Sequence, residues 1–396
     1  MKFKMKTLLV AAALAAGSCT ASTLYTASYA GLVSSLSLSS SGDGAAHLSL
    51  ISNTSDCGPS PSWLMLDGAH GILYCLDEAI NAPNGSITSF KTHPNGTLTT
   101  IEHLKTLTGP VQSVLYNASG VSDRQFMAVA HYDASTITTY SVDPIHGLFN
   151  RSQTFTYNMT APGPNASRQD APHPHGVVVD PTGRFVLSPD LGADFVRIFA
   201  VDQATGLLQP QEPLKISPGS GPRHAVFWTP KEKRAQQVYM YLVSELANTL
   251  SAFKVTYTST GISFTKVYEE STYGGDKSGP DGSKVAEIAI SPENNHIVTT
   301  NRLDNTFGKN NDSFAIFSCA DATGNKFTKP AFLGLNPTYG SNPRQFEING
   351  QRTLVAVAMQ DTKEVVVTKW DAKKGAPGAL VASKKMEGEI PAAIWG

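Results

Sequence analysis

Charged residues preceded by proline recur in this sequence, in His173-Pro-His175-Gly, Gly221-Pro-Arg223-His224 and Asn342-Pro-Arg344. Where such a pair opens a β-strand, proline fixes the backbone and aims the side chain that follows. Glu245, Glu287 and Arg302 fall between the second and third of these motifs. A site that gathers Arg223, Arg302 and Arg344 with His175 is electropositive within a chain of formal net charge −1. Guanidinium groups bind carboxylate or phosphate through paired hydrogen bonds, so a small anionic molecule is the natural ligand. Glu245 is the candidate acid or base among them. Nearby arginines keep it ionised, which favours the base role.

Other chemistries lack their signatures. No CxxC, HExxH or Cys/His ligand spacing occurs, and no metal or other cofactor is expected. There is no glycine-rich phosphate loop, and the absence of GxSxG argues against the usual serine-hydrolase elbow. With 31 Lys and Arg against 32 Asp and Glu, the chain is not a basic nucleic-acid binder. Its 41% hydrophobic and 16% charged residues exclude a highly charged disordered chain.

What positions the charged residues is a repeat. Short apolar runs begin at Leu24, Leu73, Met127, Val186, Tyr241, Val298 and Val355, with steps of 49 to 59 residues. Each is followed by a second strand, a Gly- or Asn-containing turn and a third strand. Each is also preceded by an apolar strand after Pro or Gly, such as Ala225-Val-Phe-Trp. The first unit lacks that preceding strand, and a matching one stands at the end of the chain, in Ile390–Trp395. The expected fold is all-β: a seven-bladed β-propeller of four-stranded blades, with the N- and C-terminal strands closing one blade. A sandwich pair or a solenoid fits the regular spacing and the split first unit less well.

The register ranks the candidate site residues. The fifth position of the anchor strands holds His131, Asp190, Glu245 and Arg302 in four consecutive units. With the strand starts, this gives His175, Arg223, Glu245 and Arg302 as catalytic candidates, and His131, His173, Asp190, His224, Glu287 and Arg344 as substrate-binding ones. His70, His93, His103, His146 and His296 are read as surface residues, and the four tryptophans as packing between blades. The Gly274–Gly282 stretch is a long turn with a possible lid role.

Lys2, Lys4 and Lys6 precede the apolar run Leu8–Ala16 and a small-residue exit. Residues 1–21 therefore read as a secretory leader, cleaved between 16 and 22, ahead of one propeller domain over 22–396. The apolar run is too short to span a bilayer. Sequons stand at Asn53, Asn84, Asn95, Asn117, Asn150, Asn158, Asn165 and Asn311. They suit a secreted, monomeric glycoprotein. Cys57 and Cys75 flank one strand-turn-strand unit and can pair, which leaves Cys319 free.

Several motifs together resemble one family. They are His173-Pro-His175-Gly, Gly221-Pro-Arg223-His224-Ala-Val-Phe227, Ser244-Glu245-Leu246, Asn301-Arg302 and Gly340-Ser-Asn-Pro-Arg344-Gln-Phe346. In this order they are similar to the lactonase propellers, which include bacterial-type 6-phosphogluconolactonases and fungal 3-carboxy-cis,cis-muconate cyclases. The resemblance implies a metal-independent site built from His175, Arg223, Arg302 and Glu245, and lactone-ring chemistry on a small acidic substrate. Two departures are Ser244, where the family more often has Asn, and the Ser291-Pro-Glu-Asn-Asn turn. A secretory leader does not suit intracellular carbon metabolism. The alternative function is therefore a secreted cell-surface or cell-wall antigen or adhesin with cell-wall or host-surface ligands. A calcium-dependent lactonase is disfavoured, because arginines stand where calcium needs oxygen ligands.

Overall fold

The recurring apolar runs are strands buried on both faces. In Val238–Ser244, Tyr239, Tyr241 and Val243 enter one buried cluster while Met240 and Leu242 enter the neighbouring one. Side chains alternate across a strand, so a run that is apolar throughout belongs between two packed layers. The computed structural model describes residues 22–40, 45–80, 82–232, 237–259 and 261–396. It forms seven four-stranded antiparallel sheets, with no helix among the described residues. Seven buried apolar clusters lie between neighbouring sheets, one in each seam. This is the expected seven-bladed propeller, and its rigidity comes from the seams.

The ring closes as the split first unit requires. Ala392–Trp395 pairs antiparallel with Ser22–Ser28, from Leu24 opposite Trp395 to Ala27 opposite Ala392. Trp228, Trp370 and Trp395 are buried in seams. Trp63 packs on a seam too, but it also lines the central channel. Cys57 and Cys75 form a disulfide in the first seam, and Cys319 is free and buried. The expected leader and residues 233 and 234 of the charged Lys231–Arg234 loop lie outside the described residues.

The inner strands share one local device. Strands Pro61–Asp67, Pro110–Tyr116, Pro222–Trp228 and Pro343–Ile348 each shift register immediately after the opening proline. The shift sets Ser62, Val111, Arg223 and Arg344 off the ladder. Such bulges re-aim a side chain, and here all four line the axial channel. His175 follows Pro174 in the corresponding place of the fourth blade, where Pro174 bridges to Asp190. The residues that follow these are Trp63, Gln112, Gly176, His224 and Gln345.

Candidate active site

Two glycines permit the close approach that the site needs. Gly221 sits at φ 62°, and a Cβ there would lie 2.5 Å from Leu246. Its N–H donates to Asp194, as does that of Gly219, and its carbonyl accepts from Glu245 N at 2.7 Å. The turn before Arg223 is thereby tied to the turn that carries Glu245. A Cβ on Gly176 would lie 2.6 Å from the Arg223 carbonyl oxygen, so His175 and Arg223 come together only around a glycine.

Glu245 is buried at the centre of three guanidinium groups. Its Oε1 is 2.7 Å from Arg168 Nη2, and its Oε2 is 3.0 Å from Arg223 Nε and 2.7 Å from Arg302 Nη2. Burial works to raise its pKa, but Arg302, Arg223 and Arg168 together hold the carboxyl well below the usual range. Both oxygens are thus engaged and their basicity is low. The base role expected of Glu245 does not fit this geometry. The carboxylate fixes the arginines instead.

The cavity above this cluster measures about 420 Å³. It is lined by Tyr132, Arg168, His175, Glu245, Lys284, Arg302 and Arg344, among others. Its lining carries four cationic side chains (Arg168, Lys284, Arg302, Arg344) and two carboxylates (Glu78, Glu245), so positive charge is in excess. Arg344 donates to Tyr29 Oη at 2.5 Å and pairs with Glu78 at 3.2 Å. Lys284 stands opposite Arg302 in the strand register and has no ion-pair partner among the described residues. Burial, with Arg168 adding repulsion, lowers its pKa. Nδ1 of the buried His175 has no hydrogen-bond partner among the described residues. Burial, reinforced by Arg223 and His224, draws its pKa well below 6.5, so it is neutral at pH 7.

The four catalytic candidates are therefore together, and Arg344 joins them. The other substrate-binding candidates do not line this cavity. His131 is fully buried, with its ring nitrogens 3.2 Å from Leu107 O and 2.8 Å from Thr138 Oγ1. Asp190 accepts from His173 N and Ala193 N and pairs with Arg197. Both residues end second strands, as Arg302 does, but their side chains are taken up by these contacts. His173 stacks on Tyr132 with ring centroids 4.1 Å apart, and its Nε2 lies 3.0 Å from Asp170. Tyr132 in turn accepts from Arg168 at 3.4 Å, so His173 acts on the site at second hand. His224 and Glu287 face each other at 2.9 Å beneath the cavity. Gly275–Ser278 of the proposed lid line a groove with Val267–Ser271, away from the cavity.

Arg168, Tyr132 and Lys284 escaped the sequence reading. Arg168 lies in the 157–177 connection, outside the repeat, and the unusual length of that connection was its one signal. Among the described residues, no group of three or more His, Cys, Asp or Glu side chains is placed to hold a metal ion.

A seven-bladed propeller with a cationic cavity at one mouth of its channel is the class that this fold and site define. The family model described as "Lactonase, 7-bladed beta-propeller" matches residues 14–392, and the chain belongs to that family. A probable 6-phosphogluconolactonase of Arthroderma benhamiae is 33% identical over 267 residues, covering 67% of this chain and 63% of the relative. A 6-phosphogluconolactonase of Formosa agariphila is 27% identical over 318 residues, 79% of this chain and 82% of the relative. The periplasmic gluconolactonase PpgL of Pseudomonas aeruginosa shares the fold. Its TM-score is 0.73 at 22% identity, covering 95% of this chain and 99% of that one.

Proposed function

We propose that this protein hydrolyses a sugar-acid lactone bearing a remote anionic group, with His175 as general base. The observation that carries the reading is the division of labour in the cavity. Glu245 is committed to three arginines, while His175 is neutral, lines the cavity and is in no ion pair among the described residues. His175 takes a proton from water, and the resulting hydroxide adds to the lactone carbonyl carbon. Arg302 and Arg168 stabilise the oxyanion. The C–O ring bond then breaks, and the imidazolium returns its proton to the leaving ring oxygen. The product is a hydroxy acid, ionised at neutral pH. Lys284 and Arg344 are suited to the remote phosphate or carboxylate.

The family and the names of its relatives support lactone opening. Cyclisation of a carboxymuconate uses the same anion-binding groups, but it needs an acid to protonate carbon. An ionised Glu245 and a neutral His175 favour hydrolysis. The test is proton release from 6-phosphogluconolactone, corrected for spontaneous opening. Turnover is expected in the wild type and a loss of about 10²–10⁴ in kcat in His175→Asn. Equal turnover in both would remove His175 from the mechanism.

The working compartment is extracellular in this reading. Seven of the eight sequon asparagines are exposed, Asn311 being the half-buried one, and the Cys57–Cys75 disulfide suits an oxidising environment. A mobility shift of the secreted protein on endoglycosidase treatment tests this.

A further inference from the structure

Beneath the cavity lies a second, minute one of about 10 Å³, lined by Ser62, Trp63, Val111, His175, Arg223, His224, Arg344, Gln345 and Pro391. That is room for about one water molecule. Two buried imidazole nitrogens on its lining residues have no hydrogen-bond partner among the described residues: Nδ1 of His175 and Nε2 of His224. The rings are 5.3 Å apart between centroids at 70°, without a direct hydrogen bond. Tyr132 holds His175 edge-on at 5.6 Å, and Trp63 holds His224 edge-on at 5.9 Å. On its far side, His224 Nδ1 is 2.9 Å from Glu287 Oε1.

We propose that one buried water bridges His175 Nδ1 to His224 Nε2, which makes His224 and Glu287 positioning residues that set the tautomer of the catalytic imidazole. The inference rests on His175 being the base. The direction of every hydrogen bond follows from Glu287. The carboxylate oxygen accepts, so His224 carries its proton on Nδ1 and leaves Nε2 as an acceptor. Arg223 Nη1 also approaches His224 Nδ1, at 3.3 Å, but it donates to Ala286 O at 2.7 Å and does not displace the shorter carboxylate contact. The water donates to His224 Nε2 and accepts from His175 Nδ1–H. His175 Nε2 is then left with its lone pair, which is the tautomer a general base acting through Nε2 requires. When Nε2 takes a proton from the attacking water, the Nδ1 proton can pass to the buried water. That water passes one to His224 Nε2, and His224 Nδ1–H moves to Glu287. The positive charge on the imidazolium and the negative charge on Glu287 are then both neutralised.

The groups that bear on this titration come from several blades. Arg223, His224, Glu245 and Arg344 face His175, while Glu287, Arg223 and Glu245 face His224. The primary test reads the wild-type protein and needs no activity. Nitrogen-15 spectra of the imidazoles in the wild-type protein, with His175 assigned by its loss in His175→Asn, should show the Nδ1–H tautomer for His175 and for His224 at neutral pH. An Nε2–H tautomer at His175 would overturn the proposal even in an active enzyme, and the spectrum reads the same way if no lactone is turned over.

Kinetics add a second arm. His224→Phe should lower kcat about tenfold to a hundredfold with KM within about threefold, and should leave His175 as a mixture of tautomers. His224→Gln, whose carbonyl can still accept from the water, should recover part of the loss. Should His224→Phe fail to fold, Glu287→Leu removes the acceptor at His224 Nδ1 and should produce the same mixture. An unmixed Nδ1–H His175 in Glu287→Leu would contradict the relay.

Discussion

Replacing Glu245 by Gln removes the one negative charge shared by Arg168, Arg223 and Arg302 while keeping the side-chain volume. Glu245 and Arg223 are each about 2% exposed, Arg302 11% and Arg168 28%, so little water is available to screen the charges left behind. Breaking a buried ion pair by deleting one partner costs about 3–5 kcal/mol. For a chain of this size that is roughly a 3–10 °C fall in Tm. The deficit is one of negative charge, so an anion should repair it. Phosphate at a hundred times its Kd would return about 2.7 kcal/mol. Thermal unfolding in phosphate and in chloride, at matched ionic strength, is the assay. The variant should be less stable than wild type in chloride and should gain more from phosphate than wild type does. A Tm equal to wild type in chloride, or an equal phosphate response in the two proteins, would refute the claim that Glu245 is there to hold the arginines.

Other outcomes follow from the same geometry. Because burial and Arg223 depress the His175 pKa, the acid limb of kcat/KM should lie below pH 6.5, where the imidazole finally protonates. A limb at or above 6.5 would mean that His175 is less buried than described. Burial raises Glu347 from 4.5 to about 7, so the folded state retains a proton that the unfolded chain releases, and stability falls as pH rises through that interval. At about 1.4 kcal/mol per pH unit the ceiling is about 3 kcal/mol. Glu347→Gln should therefore gain stability over wild type at pH 8 and little at pH 5, with Trp395 N still able to donate to the amide. Calorimetry at the two pH values decides it. The Cys57–Cys75 bond spans 18 residues, and Cys57→Ala/Cys75→Ala should lose about 3 kcal/mol in denaturant titrations.

The architecture was legible because its energetics are repetitive. Each seam needs strands apolar on both faces, which leaves uninterrupted runs such as Tyr241-Leu-Val-Ser at a regular spacing, and the missing first strand reappears before Trp395. Arg223, Arg344 and His175 were legible for a local reason, the proline ahead of each. Position along a second strand misled for His131 and Asp190. Arg302 ends a second strand at the equivalent place and does line the cavity, so an equivalent place in the repeat does not fix what a side chain meets. Arg168 obeys no period, since it reaches Glu245 from an irregular connection. Without it, the sequence suggested an ionised Glu245 but not a saturated one. The third ion pair saturates Glu245, and the proposal of His175 as the base rests on that.

The most direct test of the account is the ratio of kcat/KM for 6-phosphogluconolactone to that for gluconolactone, measured by proton release against the spontaneous rate. A cavity lined by four cationic side chains predicts a preference of at least about tenfold for the phosphorylated lactone. Equal values for the two lactones, or no rate above spontaneous opening with either, would contradict it.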